Sequence, residues 1–429
     1  VGIFPDNQFS RLIFTHAGNK GEGMREVLIS AFTAMNTPRD RRDALPAWTR
    51  EFEYVNGGLF AGGIDAPMFD APSARYLRDV SAENWKGINP DIFGSMIQSV
   101  ADAKLRSELG MHYTSVPNIM KVLGPLFLDD LDAEIEKVWD RERVLRQVLD
   151  RIAKIRVFDP ACGSGNFLVV AYRALREREI RILTRLAELT GGAQTEMWSV
   201  VPIRNLYGIE LTDFAVETAK LALFIAEYQA NALFQQAFGR KPADLPLRDA
   251  ANVVCGNALR LNWEAVCPVP EDGGEVFIAG NPPFLGKAQQ EEDQKADKDA
   301  VFSGVTKNYK AFDYVAGWFY KAGQYIAGRN ARAALVSTNS IVQGDAVSTI
   351  WPLVLGTGRE IFFAHRTFKW RNNASANAAV MCVIVGMRNR SAAPKTLIDG
   401  DLSFTVANIN AYPVSYTHLR AHETKANLV

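Results

Sequence analysis

The chain has 429 residues, room for two or three domains at roughly 150 residues each, and its 48 basic and 48 acidic side chains cancel to no net charge. With 48% hydrophobic and 22% charged residues it is neither a disordered polyelectrolyte nor a histone-like DNA coat, although a local basic groove is compatible with neutrality. No apolar run nears the ~20 residues that span a bilayer, and four cysteines without a C-x-x-C pair argue against a disulfide framework or metal centre and for a reducing, cytoplasmic setting.

The opening Val1-Gly2-Ile3-Phe4-Pro5 lacks an initiator Met, a basic n-region and a cleavage site, and reads as an internal fragment. Short helical patterns broken by Asn56-Gly57-Gly58 and Ala61-Gly62-Gly63 predict a small, mostly helical connector domain over residues 1–104. Leu131, Ile135, Val138, Leu145, Leu149 and Ile152 then recur near a helical period. From there β and α patterns alternate: a strand at Ile155–Asp159, a helix at Asn166–Leu189, a strand at Leu206–Glu210, and a helix at Thr212–Gln229 with Phe214, Leu221, Ile225 and Tyr228 on one side. Further strands are expected at Val253–Cys255, Val276–Ala279, Ala333–Ser337, Ile361–Ala364 and Ala379–Val385, the last ending near Gly386. This alternation predicts an α/β fold with a mainly parallel, doubly wound sheet, binding ligands at the carboxyl ends of its strands. Gly286–Lys310 is expected to be a mobile surface loop, Arg173–Arg185 a solvated helix face, and residues 414–429 a non-native tail.

Phe158-Asp159-Pro160-Ala161-Cys162-Gly163-Ser164-Gly165-Asn166-Phe167-Leu168 lies where a strand turns into a helix, and its glycines let backbone approach a ligand closely. A tight turn with no ligand would use the same Gly-x-Gly. A dinucleotide site fits poorly. Leu168 stands where G-x-G-x-x-G has its third glycine, and the next strand-end acid, Glu210, comes 51 residues after Asp159 rather than ~20. Cys162 reads as a small packed residue rather than a nucleophile.

The fuller string D-P-A-C-G-S-G-N-F-L resembles motif I of the S-adenosylmethionine (SAM)-dependent DNA methyltransferases. The resemblance implies SAM as cofactor, with Asp159 facing its amino-acid end and Ala161, Gly163, Gly165 and Phe167 packing against it. It also places Glu210 on the two ribose hydroxyls, where one carboxylate can accept two hydrogen bonds. The other reading of Glu210 is a helix N-terminal acid favoured by the macrodipole. Asn257 and Ala258 would lie beside the adenine ring.

Asn281-Pro282-Pro283-Phe284 directly follows the strand at Val276–Ala279. The exocyclic amino group of a base is a poor nucleophile because its lone pair is delocalised into the ring. The side-chain carbonyl of Asn281 and the backbone carbonyl of Pro282 can accept its two N–H bonds, hold the nitrogen nearer sp³ geometry and aim its lone pair at a methyl donor. Pro282 and Pro283 fix the carbonyl direction, and Phe284 offers a face on which an extruded base can stack. Such a site works by positioning and charge stabilisation without a strong base. Similar tetrapeptides occur in enzymes that methylate ribosomal RNA or a protein glutamine, and a Pro-rich turn is the plain structural alternative. No cysteine follows in a Pro-Cys pattern, which argues against covalent C5-cytosine chemistry.

Leu109-Gly110-Met111-His112-Tyr113-Thr114-Ser115 resembles the segment preceding motif I in γ-class adenine methyltransferases, which implies cofactor contact by Tyr113 and Thr114. Asn56–Phe60, Ile92–Met96, Phe312–Ala327, Ala334–Gln343 and His365–Trp370 look like the MmeI-type (type IIG or IIL) restriction–modification polypeptides over Val1 to about Tyr412. Phe368 or Trp370 would then be the second aromatic wall of a flipped-base pocket, or else a core aromatic at a strand edge. Lys310, with Lys287, Lys307, Arg366, Lys369 and Arg371, would meet DNA phosphates, each alone being equally a surface charge. The family's nuclease and target-recognition domains are expected to be missing.

The resulting expectation is an α/β chain with a doubly wound, Rossmann-like SAM-dependent methyltransferase sheet over residues 105–413, preceded by the helical connector. It would methylate the N6 amino group of a flipped adenine in double-stranded DNA, with no membrane partner and no metal. The alternatives are a non-catalytic DNA- or partner-binding fragment, or an amino-methyltransferase acting on cytosine N4, RNA or protein.

Overall fold

A computed structural model describes residues 7–18, 20–52, 54, 63–83, 114–192, 198–239, 251–370 and 380–413. They divide into two compact units, one from the described residues up to 83 and one from residue 114 onward.

The first unit is helical, as expected. Helices α1 (Gln8–His16), α2 (Met24–Asn36) and α3 (Ala71–Ala82) enclose a core of Ile13, Met24, Ala31, Phe52 and Ala74. Asp70 caps α3 by accepting the Ser73 N–H at 2.9 Å, and Pro72 sits in its first turn, where a missing N–H is harmless. The buried Arg42 guanidinium donates to the carbonyls of Thr37, Arg50 and Phe52 and ties the chain after α2 together.

The second unit begins with α4 (Val116–Leu123), which runs through a wide turn at Gly124–Leu128 into α5 (Asp129–Lys137), followed by α6 (Glu142–Ala153). The apolar recurrence from Leu131 to Ile152 is therefore two helices. Asp140–Arg143 are all charged and interrupt the apolar pattern, and the two helices on either side set both stripes against one core.

Then come β1 (Arg156–Asp159), α7 (Asn166–Leu189), β2 (Leu206–Glu210), α8 (Asp213–Phe238), β3 (Asn252–Cys255), β4 (Val276–Gly280), α9 (Glu292–Phe302), α10 (Ala316–Ile326), β5 (Ala331–Thr338), α11 (Gly344–Leu355), β6 (Arg359–Trp370), β7 (Val380–Asn389), β8 (Lys395–Asp399) and β9 (Leu402–Val406). The sheet order is β3-β2-β1-β4-β5-β7-β6-β8-β9. The five strands β3 to β5 are parallel, and β7 is inserted antiparallel between β5 and β6. Strands β1, β2, β4, β5 and β7 run largely buried because one core, lined by α4 to α8, covers one side and another, lined by α10 and α11, covers the opposite side. The order reverses between β1 and β4, whose carboxyl ends carry Asp159 and Gly280-Asn281, and this is where an open α/β sheet binds its ligand.

Four expectations are corrected. The sheet does not end near Gly386, because β8 and β9 extend it to Val406. The segment Gly286–Lys310 contains α9, closed by a Glu291–Gln294 capping box and anchored by buried Phe302. Its buried side also carries Asp297 and Lys298, so its apolar period is weak. On α8 the core face is made of Ala215, Val216, Ala219, Leu223 and Ala226, and Phe214 is 68% exposed. The run Arg173–Arg185 is not simply solvated. Arg176 is buried, donating to Glu179 at 2.8 Å and to the Tyr172 hydroxyl at 2.6 Å, while Arg178, Arg181 and Arg185 pair with Asp132, Glu136 and Asp140 of α5 and the turn after it.

Candidate active site

Strand β1 delivers Asp159 to the carboxyl edge, where it is 1% exposed and accepts the Ala161 N–H at 3.0 Å. Burial pushes its carboxyl up to about 8, the Ala161 N–H opposes this, and the neighbouring Glu210 charge adds to it. Across the switch point stands Gly280, and the absence of a side chain there is required. A Cβ would sit 2.5 Å from Asp159 Oδ1. Gly280→Ala is accordingly expected to lower thermal stability by about 1–3 kcal/mol and to displace the Asp159 carboxylate. Equal melting curves for the two proteins would refute this packing.

The loop after Asp159 is shaped by two glycines in the left-handed region, Gly163 at φ 54° and Gly165 at φ 84°. Gly165 abuts Ala219 of α8, where an added Cβ would lie 3.1 Å from the alanine Cβ. Beside Gly163 the same construction meets nothing within 4 Å among the described residues, which leave an open cradle over the loop. The Cys162 thiol packs against Gly208, and burial pushes its pKa well up, so it is no nucleophile. Trp318 holds the loop from behind, donating Nε1–H to the Pro160 carbonyl at 3.0 Å. Phe167 is buried in the core.

Glu210, at the end of β2, closes the cradle. Its Oε2 accepts the Gly163 N–H and its Oε1 the Leu211 N–H, both at 2.8 Å. Burial raises its pKa, and these N–H groups oppose the rise. Asn257, after β3, uses its side chain on the protein. Its Nδ2 donates to Asp297 at 2.8 Å and its Oδ1 accepts the Leu259 N–H at 2.9 Å, with Ala258 buried beside it. Asp297 also takes bonds from Arg260 Nε at 2.6 Å and from the Tyr314 hydroxyl at 2.5 Å. Sequence reasoning missed this buried acid because it lies among surface charges, with nothing in spacing to set it apart.

Asn281 follows β4. Its Nδ2 donates to Thr114 Oγ1 at 3.2 Å, and its Oδ1 is buried with no hydrogen-bond partner among the described residues. Pro282 is buried, Pro283 is half-buried, and Phe284 rests half-buried against both cores. Phe368, on β6, is half-buried against the core that also borders Phe284, with Lys121 Nζ 4.6 Å from its ring centre. His365 donates its Nε2–H to the Lys121 carbonyl at 2.9 Å, which fixes the Nε2–H tautomer. Lys287, Lys307, Lys310 and Lys369 are exposed, while Arg366 pairs with Asp399 at 3.0 Å. Tyr113, Arg371, the segments Asn56–Phe60 and Ile92–Met96, the tail at 414–429 and the Trp370 side chain lie outside the described residues. No cluster of metal-ligating side chains occurs among the described residues, and no helix among them is long and apolar enough to cross a membrane.

The site thus pairs an open backbone cradle, flanked by the buried Asp159 and half-buried Glu210 carboxylates, with a buried carbonyl acceptor after the next strand end. Residues 135–399 match the family described as the DNA-methyltransferase domain of MmeI. This chain belongs to that family. Residues 1–60 match the helicase spacer domain of MmeI, in keeping with the helical first unit. The chain is 45% identical over 386 residues to DNA methyltransferase A of Bacillus subtilis (strain 168), covering 90% of this chain and 43% of that protein. Among solved structures it resembles the type IIL restriction–modification enzyme MmeI, determined in complex with DNA, with a TM-score of 0.87 and 38% identity over 98% of this chain and 57% of the other. The MmeI-type chain described here therefore spans about half the length of these relatives.

Proposed function

We propose that this chain transfers a methyl group from SAM to the N6 amino group of an adenine turned out of double-stranded DNA. The observation that carries the reading is the unpartnered Oδ1 of Asn281 at the end of β4. A buried carbonyl oxygen without a donor is unfavourable by roughly 1–3 kcal/mol, and an incoming amino group relieves it.

The cradle fits SAM. SAM is cationic and carries a vicinal diol, and the cradle offers the buried Asp159 and half-buried Glu210 carboxylates with open space over Gly163. When bound, SAM supplies an electrophilic methyl group. Asp159 would hold the amino-acid end and Glu210 the ribose, with Ala161, Gly163, Gly165 and Phe167 shaping the loop and Ala258 and Asn257 bordering the adenine side. Asn281 Oδ1 and the Pro282 carbonyl would accept the two N–H bonds of the base, with Phe284 beneath the ring and Phe368 the candidate for the facing wall. The Asn281 amide has no basic group to take a proton, so the acceptor nitrogen keeps its hydrogens until the methyl has moved and then loses one to solvent. DNA is the partner the neighbouring MmeI complex suggests, and the exposed Lys287, Lys307, Lys310 and Lys369 supply cations at this edge.

The test is incubation of the chain with methyl-labelled SAM and mixed-sequence duplex DNA. Label is expected in DNA with the wild type and not with Asn281→Ala. Label confined to RNA or protein, or equal labelling by the variant, would overturn the proposal.

A further inference from the structure

The side chain of Asn257 is fixed at both ends, and the two bonds leave it one orientation. The Asp297 carboxylate, paired with Arg260, can only accept, so the amide end that meets it at 2.8 Å is Nδ2. The Leu259 N–H can only donate, so the end that meets it at 2.9 Å is Oδ1. The turn that follows is held through its backbone. Trp263 donates Nε1–H to the Ala258 carbonyl at 2.8 Å, and Lys321 of α10 donates to the Leu259 and Leu261 carbonyls at 3.1 and 2.6 Å. Those bonds act on main-chain oxygens, whereas Asp297 acts on the Asn257 side chain itself.

Pairing with Arg260 does not account for the burial of Asp297. The Asp297 side chain is 3% exposed and that of Arg260 55%, and an ion pair at the solvent edge contributes little. Taking a carboxylate out of water is costly unless donors replace the water. The donors on the buried side are Asn257 Nδ2 and the Tyr314 hydroxyl, the latter at 2.5 Å. Nor does Asp297 depend on Asn257 for its place. Helix α9 is fixed at its start by the capping box and by Gln290, whose Nε2 donates to the Leu285 and Phe312 carbonyls at 2.9 and 3.1 Å, and at its end by buried Phe302. The Tyr314 N–H closes the segment on the Leu285 carbonyl at 2.9 Å. A carboxylate placed by its own helix therefore imposes an orientation on Asn257.

Resting on the function proposed above, in which Asn257 and Ala258 border the SAM adenine, we propose that Asp297 is a positioning residue for the cofactor, whose carboxylate sets the Asn257 amide in the orientation that the adenine meets. Such a role acts on SAM affinity. A role confined to packing α9 acts on Tm alone.

The experiment measures SAM affinity by calorimetry, on the chain without DNA, for wild type, Asp297→Asn, Asn257→Asp and the double variant. Asp297→Asn keeps an oxygen on Arg260 and turns an amino group toward that of Asn257, so donor faces donor. Asn257→Asp sets two carboxylates against each other. The double variant restores one amide and one carboxylate with donor and acceptor exchanged and the net charge kept. The expected result is SAM affinity about 10-fold lower in each single variant and back within about threefold of wild type in the double variant. Wild-type affinity in Asp297→Asn, or a double variant that binds no better than the weaker single one, overturns the proposal. Should a single variant fail to fold, the double variant decides. It folds and binds SAM like wild type if Asp297 orients Asn257, and weak binding or failure to fold overturns the proposal. Wild type that binds SAM but labels no DNA refutes the function proposed above and leaves the affinities to decide on Asp297. Wild type that binds no SAM overturns both.

Discussion

Replacing Asn281 by alanine is expected to lower methyl transfer by about 10²- to 10³-fold, the usual consequence of removing one preorganised partner of a developing charge. SAM affinity should stay within a few fold, because Asn281 follows β4 and its amide bonds Thr114 rather than Asp159 or Glu210. The folded state should tolerate the change. The wild-type Oδ1 is already unpartnered, so alanine removes a desolvated acceptor together with one hydrogen bond to Thr114. Single-turnover rates beside calorimetric SAM affinities check this. Parallel losses in both would move Asn281 from the acceptor side to the cofactor side.

Asp159→Asn should act in opposite directions on stability and binding. The carboxyl is almost fully buried with no cationic partner among the described residues, and burial lifts it to about 8 from an ordinary value of 3.8. A group whose folded pKa is raised stabilises the fold at acid pH, and that stability is lost as pH rises through the folded pKa. The unliganded chain should therefore lose on the order of 2 kcal/mol of stability between pH 6.5 and 9 through this group. His365 does not interfere over that window, since burial holds it neutral down to about 4. Asparagine carries no charge to desolvate, so the variant should melt higher at pH 9 and show a flatter pH profile. Its SAM affinity should fall by roughly 100-fold or more, the usual loss when one partner of a buried charge pair is removed. In the wild type, SAM affinity should rise from pH 6.5 to 8.5, because Asp159 must give up a proton to face a cationic ligand. Melting curves and calorimetry across this range test both halves. An unchanged alkaline melting temperature in the variant would mean that Asp159 is not desolvated as described.

The candidate site left more marks in the sequence than parts of the scaffold did. Gly163 and Gly165 in the left-handed region, the strand-end acids and Asn281 between Gly280 and two prolines all leave marks in the sequence. Helix α7 was readable end to end because Gly165 opens it and its apolar residues keep helical spacing. Helix α8 was read too short. Its core face is mostly alanine, which carries little pattern, although Gly239 at φ 67° was a readable stop.

Strands β8 and β9 were missed although Leu402-Ser403-Phe404-Thr405-Val406 alternates apolar and polar residues; in the sheet Leu402 and Phe404 nevertheless face solvent, so β9 is a strand whose pattern does not report burial. Helix α9 hid behind its charges, since Asp297 and Lys298 are buried through polar partners that only the tertiary structure supplies, among them the Phe312 carbonyl 2.8 Å from Lys298 Nζ. The bond between Thr114 and Asn281 joins residues 167 positions apart and leaves no local trace. Periodicity reports burial of apolar faces. It is silent where polar groups are buried in pairs.

The central claim is that the unpartnered carbonyl of Asn281 receives an adenine amino group. Nucleoside mass spectrometry on mixed-sequence duplex DNA, after incubation with isotopically labelled SAM, tests it most directly. Labelled N6-methyladenine from the wild type, absent with Asn281→Ala, is the predicted result. Labelled N4-methylcytosine without labelled adenine, or N6-methyladenine undiminished by Asn281→Ala, would contradict it.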